Sequence, residues 1–147
     1  MIEYKEGFHI SDDKSLLNIP YIHSFLSHSY WAEEIPIELV KKSIHGSMCF
    51  GIYQGEQQVG FARVITDNAT FAYLADVFVD EACRGKGLSK WLMTVIMGHP
   101  DLQGLRRFLL ATRDAHGLYA QFGFEPISHP ERLMGIAHAD IDKKREV

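Results

Sequence analysis

Between residues 70 and 112 the hydrophobic period changes twice, and any fold has to accommodate both changes. TFAYLADVFVD (70–80) has the character of a strand. Leu88, Trp91, Leu92, Val95 and Ile96 then recur at i, i+3, i+4, i+7 and i+8, the spacing of an amphipathic helix. RFLLAT (107–112) is a short continuous apolar run, as in a buried parallel strand. A strand, a crossover helix and a second strand in one sheet make a right-handed unit. Its first strand-to-helix junction reads Arg84-Gly85-Lys86-Gly87. Glycines let a backbone approach a ligand closely, and a helix start offers unpaired N–H groups and partial positive charge. With two cations added, the junction is expected to bind an anion, typically phosphate.

Around this unit the chain reads as β-α-α-β-β-β-α-β-α-β. YKEGFHIS (4–11) is expected to be one strand. Asn18 suits the cap of a helix carrying Ile19, Ile22, Phe25 and Leu26, with Pro20 in its first turn. SHSYWAEEIP (27–36) reads as a loop. Pro36 suits the first turn of a second helix with Ile37, Val40 and Ile44 on one face. SMCFGIY (47–53) and QVGFARVI (58–65) precede the 70–80 strand and are expected to pair with it in an antiparallel meander. After residue 112, Asp114 is expected to cap a helix with Ala115, Leu118, Tyr119 and Phe122 on one face, stopped by Gly123. FEPI (124–127) resumes extended structure, and residues 138–147 read as a frayed tail.

Size and composition narrow the function. A chain of 147 residues suits one domain, residues 1–147, around a single core. The formal net charge of −4 argues against a nucleic-acid partner, and no apolar run is long enough to span a membrane. With no basic-then-apolar leader pattern, the cytoplasm is the expected compartment. The two cysteines, Cys49 and Cys83, make no disulfide framework, and neither they nor the eight histidines show metal-ligand spacing, so no metal is expected.

Three phosphate motifs compete for the glycine turn. The P-loop pattern fails because Gly87 follows Gly85-Lys86 where Ser or Thr is required. The GxGxxG fingerprint fails because Lys90 stands at its third glycine. The pattern [R/Q]xxGx[G/A] is met by residues 84–89 except at its last place, where the small Ser89 stands. That motif is the pyrophosphate signature of the GNAT superfamily of N-acetyltransferases, and the resemblance goes further. LADVFVDEACRGKGLSKWLM (74–93) resembles the family's motif A, and LLATRDAHGLYAQFGFEPI (109–127) resembles its motif B.

The resemblance implies a mixed α/β, three-layer fold: a central mixed twisted sheet of about six or seven strands flanked by about four helices. It implies acetyl-CoA as donor, a primary amine as acceptor, and direct attack in a ternary complex. A non-catalytic CoA-binding or sensing module on the same fold is the alternative. By carry-over, Arg84, Gly85, Lys86, Gly87, Leu88 and Ser89 cradle the pyrophosphate, and the pantetheine arm lies along Val77, Phe78 and Val79. A strand N–H near Val77 would stabilise an oxyanion. Tyr119 stands at the place of the family's general acid. Asp76, a carboxylate in an otherwise apolar strand, reads either as general base or as a structural group where strands part. Tyr30 and Trp31 fall in the region that walls the acceptor site, and Arg63 is a charged strand residue able to face it. His28 reads as a surface or capping residue. A small-molecule acceptor is expected over a protein one, and a homodimer is compatible with the fold.

Overall fold

The computed structural model describes residues 1–142. Among the described residues one six-stranded sheet runs in simple sequence order: β1 (Ile2–Lys5), β2 (Phe8–Ser11), β3 (Met48–Gln54), β4 (Gln57–Thr66), β5 (Phe71–Val79) and β6 (Arg107–Leu110). Every pairing is antiparallel except β5 with β6, which are parallel. Two helices, α1 (Ile19–Ser27) and α2 (Ile37–His45), lie between β2 and β3 in sequence; α3 (Leu88–Met97) crosses from β5 to β6, and α4 (His116–Ala120) follows β6. Among the described residues no helix is long and apolar enough to cross a membrane.

Strand alternation sorts the core into two layers. On one face, Ile22, Leu26, Val40 and Ile44 of α1 and α2 meet Cys49, Phe61 and Phe78. On the other, Leu88, Leu92, Met93 and Ile96 of α3 and Tyr119 of α4 meet Phe50, Ile52, Val64 and Leu74. This is the expected sheet between two helical layers.

Four local readings are corrected. Residues 4–11 are not one strand but a hairpin: Glu6 (φ 48°) and Gly7 (φ 86°) both take left-handed conformations, which suits a two-residue turn matched to strand twist. Pro36 is the N-cap of α2 rather than a first-turn residue. Asp114 does not cap α4; Ala115 is the cap residue, and its N–H donates to Thr112 Oγ1 at 3.0 Å. Residues 124–127 join no strand, so the sheet ends at β6. Asn18 does cap α1, accepting from the Tyr21 N–H at 3.0 Å. Of the expected tail, residues 143–147 lie outside the described residues.

Candidate active site

β5 is the organising element. Phe61 pairs with Phe78 and Arg63 with Ala75, so Ala62 alone faces Asp76 and Val77. This is a β-bulge with one extra residue on β5, and Asp76 takes a left-handed φ of 55° to make it. One extra residue inverts which side chains face which layer. Ala72 and Leu74 point to the α3 layer before the bulge; after it Val77 and Val79 do, while Phe78 turns to the α1 layer. There Phe78 stacks on Phe25 with centroids 3.9 Å apart.

The bulge also aims Asp76 at the α1 side. Its Oδ2 accepts from Arg63 Nε and its Oδ1 from Trp31 Nε1, each at 2.8 Å. Arg63 Nη1 donates further to Ser47 Oγ at 3.1 Å. Burial of this carboxylate is therefore compensated by an ion pair and a neutral donor. Asp76, Trp31 and Arg63, expected as base and acceptor contacts, are brought together as one bonded group.

Parallel pairing of β5 with β6 stops at Leu74 with Leu110, yet β5 continues to Val79. Residues 75–79 thus present a main-chain edge that β6 does not cover. Beyond this edge comes the glycine turn. Gly85 (φ 80°) and Gly87 (φ 73°) are left-handed, and Gly87 is the N-cap of α3 without any side-chain cap. Among the described residues the N–H groups of 85–90 donate to nothing. A Cβ built on either glycine meets no atom within 4 Å, so the bare backbone faces open space. Arg84 ties the turn to β5 through Nε to the Val79 carbonyl at 3.3 Å. Lys86 lies over the Phe8 ring, 5.6 Å from its centroid. The Leu88 side chain is buried and Ser89 sits in the first turn of α3, so both offer the turn their main chain. Free N–H groups, a helix N-terminus and adjacent cations fit a diphosphate-bearing ligand such as acetyl-CoA.

A cleft of about 620 Å³ adjoins this edge. Tyr21, Ser24 and Phe25 of α1 form one side, and His28, Tyr30 and Trp31 of the following loop another; Asp80 and Arg113 complete it. Arg113 and Asp80 went unread in the sequence. Asp80 directly follows β5 and Arg113 comes three residues after β6, so both lie just past the parallel pair, which was the available signal. Asp80 accepts from the Tyr21 hydroxyl at 3.1 Å, and Arg113 lies 3.9 Å over the Tyr30 ring. His28 Nδ1 donates to the Ser24 carbonyl at 2.7 Å. Tyr119 is buried in α4, and its hydroxyl makes no hydrogen bond among the described residues. Burial, reinforced by Tyr30, raises its pKa above the ordinary phenol value.

The family model for the acetyltransferase (GNAT) domain matches residues 45–126, more than half the chain. A solved structure from Xanthomonas campestris pv. campestris, named as a candidate acetyltransferase of the GNAT family, superimposes with a TM-score of 0.90 at 54% identity. That match covers 92% of this chain and 96% of the other. A candidate acetyltransferase of Gibberella zeae is 28% identical over 90% of this chain and 88% of its own length. Glucosamine-6-phosphate N-acetyltransferase from Arabidopsis thaliana, at 19% identity and a TM-score of 0.63, shares the fold, over 92% of this chain and 100% of its own. The matched segment contains the bulged strand, the glycine turn, the open edge and Tyr119, and on that combined ground the chain belongs to the GNAT family of acetyltransferases.

Proposed function

We propose that this chain transfers an acetyl group from acetyl-CoA to a primary amine, with both substrates held together in the cleft. One observation carries the proposal: β5 and β6 are parallel and part after Leu74 and Leu110. Their C-terminal ends therefore share one side of the sheet, which collects the uncovered 75–79 edge, the free N–H groups of 85–90 and α4 with Tyr119. Acetyl-CoA, when bound, supplies an activated thioester carbonyl.

The chain's own residues then divide the work. Main-chain N–H groups of 84–89 hold the pyrophosphate, with Arg84 and Lys86 adding charge. The main chain of Val77, Phe78 and Val79 pairs with an extended amide arm as a further strand would. Tyr119 keeps a proton at the cleft for the departing thiolate, which its raised pKa supports. Tyr30 and Trp31 wall the acceptor, and its modest volume supports a small molecule over a protein. Both oxygens of Asp76 already accept hydrogen bonds, which supports a positioning role for it and for Arg63. The setting in this reading is cytoplasmic, supported by two cysteines that stay free and buried.

The test is an acetyl-CoA turnover screen against a library of amines, read by thiol release. Amine-dependent thiol release is expected. CoA binding without turnover on any amine would favour the non-catalytic module instead.

A further inference from the structure

The cleft has Asp80 and Arg113 among its lining residues, and the two differ in what they have left to bind with. Both oxygens of Asp80 are in use: Oδ2 accepts from the Tyr21 hydroxyl at 3.1 Å and Oδ1 from the Ala82 N–H at 3.0 Å. Asp76, at the bulge, is likewise held by Arg63 and Trp31. A polycationic acceptor would need free carboxylates, and these are taken. Arg113 is the reverse case. Its polar and ring contacts among the described residues are the Tyr30 ring and the Asp114 carboxylate, and the latter, at 3.9 Å, is beyond hydrogen-bond reach. Both side chains of that pair are mostly exposed, so it holds the guanidinium weakly.

Stacking decides what the free donors can do. The guanidinium carbon lies 3.9 Å over the Tyr30 ring centroid, so the ring covers one face of the planar group. The five N–H bonds of an arginine lie in that plane, and their edge stays open. A ring-stacked guanidinium with a free edge suits a planar carboxylate, taken through two parallel hydrogen bonds. One guanidinium also matches one negative charge. A phosphate dianion would meet a single cation here, with Asp114 beside it and Asp80 in the same cleft.

Tyr30 relates this anion site to the chemistry. Its ring meets Trp31 edge-on, with centroids 5.1 Å apart, and Trp31 bonds Asp76 at the bulge. Tyr30 is also near enough to Tyr119 to help raise the pKa of that phenol. Arg113 is therefore one ring from Tyr119 and two rings from the bulge. A molecule that brings an amine to the open edge at Val77 can reach Arg113 with an anionic group only a few bonds away. Between them, Tyr30 is 52% and Trp31 43% exposed, and with Phe25 they offer a wall to an apolar body.

We infer that the cleft takes an amino acid with an apolar or aromatic side chain as acceptor, and that the free edge of Arg113 selects it by holding its carboxylate. Its role as acceptor rests on the acetyltransfer reading, whereas its binding stands apart from it. In the transfer the amine nitrogen bonds the acetyl carbon and the C–S bond breaks. The nitrogen loses one proton to water, and the sulfur takes one from Tyr119, which water restores. The products are an N-acetyl amino acid and the free thiol of CoA.

The experiment compares L-phenylalanine and L-leucine with their carboxamides and with O-phosphoethanolamine, on the full chain. Thiol release from acetyl-CoA gives kcat/KM, and calorimetry on the CoA-loaded chain gives binding without chemistry. The parent is expected to prefer each amino acid over its carboxamide by at least ~10-fold, the scale of a charge-assisted pair of hydrogen bonds. Arg113→Gln is expected to abolish that preference, with the loss in KM rather than kcat, and Arg113→Lys to restore part of it. The Arg113 side chain is largely exposed, so both variants are expected to keep the circular dichroism of the parent. Turnover that favours the carboxamides or O-phosphoethanolamine overturns the inference and leaves the acetyltransfer reading standing. So does an amino acid preference that survives Arg113→Gln. Amino acid binding that Arg113→Gln removes, with no thiol release from any amine, upholds the carboxylate site and overturns the acetyltransfer reading. Neither binding nor thiol release overturns both.

Discussion

The indole N–H of Trp31 donates to Asp76 Oδ1 at 2.8 Å, joining residues 45 apart in sequence. The α1–α2 loop is thereby tied to the bulge of β5, and Arg63 closes the group from β4. Asp76→Asn tests what the carboxylate does. Asn tolerates the left-handed φ, so the bulge is kept. The expected outcome is a stability loss of about 2–3 kcal/mol, because Arg63 is left without its anion. Activity is expected to fall with the pH–rate profile unchanged in shape. A profile that loses its acidic limb would make Asp76 the base.

Gly87 gives a second test. Gly87→Asn and Gly87→Asp meet the same left-handed φ of 73°, and both face open space, so their backbone costs are similar. Only Asp adds negative charge beside the free N–H groups. Calorimetry is expected to show CoA affinity reduced more than tenfold by Asp and clearly less by Asn. Equal affinity in the folded Asp variant would remove the turn from donor binding.

Tyr119→Phe keeps the ring in the α3–α4 core and deletes the hydroxyl. The expected result is a ~10²-fold lower kcat at saturating amine, with CoA affinity unchanged. Because burial raises the pKa of Tyr119, the parent enzyme is expected to keep its proton donor through the neutral and mildly alkaline range. Parent-level kcat in the Phe variant would return Tyr119 to packing alone.

A fourth test lies away from the cleft. His99, buried after α3, bonds Asp12 after β2 at 2.9 Å. Burial raises the Asp12 pKa, but the hydrogen bond from His99 and the amino group of Met1 outweigh it, and the net shift is downward. A depressed carboxylate stabilises the fold above its ordinary titration range and loses that contribution as pH falls through its folded value. Asp12→Asn is expected to cost roughly 1 kcal/mol at neutral pH, Asp12 being partly in solvent. In thermal melts the difference from the parent is expected to shrink below pH 4, where the parent carboxylate also begins to protonate.

Period and punctuation made much of this legible in the sequence. The 88–96 spacing, the glycine turn, the meander and the Asn18 cap are local signals, and each lies where it was expected. What escaped depends on partners. The parity change at Asp76 arises from register against Ala62, which no pattern within β5 records. The Glu6-Gly7 turn was hidden because residues 4–11 keep one alternation on both sides of it. Arg113 and Asp80 enter the cleft because two strands part, a relationship between segments rather than a property of either. Whether RFLLAT lies inside the sheet or at its rim is likewise undetermined by its composition.

The parting of β5 from β6 also bears on how this protein can diverge. The groups that it leaves open at 75–79 are amides and carbonyls, which every residue but proline carries alike. Side chains there answer to the two helical layers instead: Val79 to one and Phe78 to the other. Selection on packing and selection on main-chain pairing are therefore nearly uncoupled along this strand. The wall from α1 to Trp31 is made of side chains and sits on a separate segment. Substitutions can rewrite that wall, and under the proposed function the choice of acceptor with it, while the strand beside it changes only as the core permits.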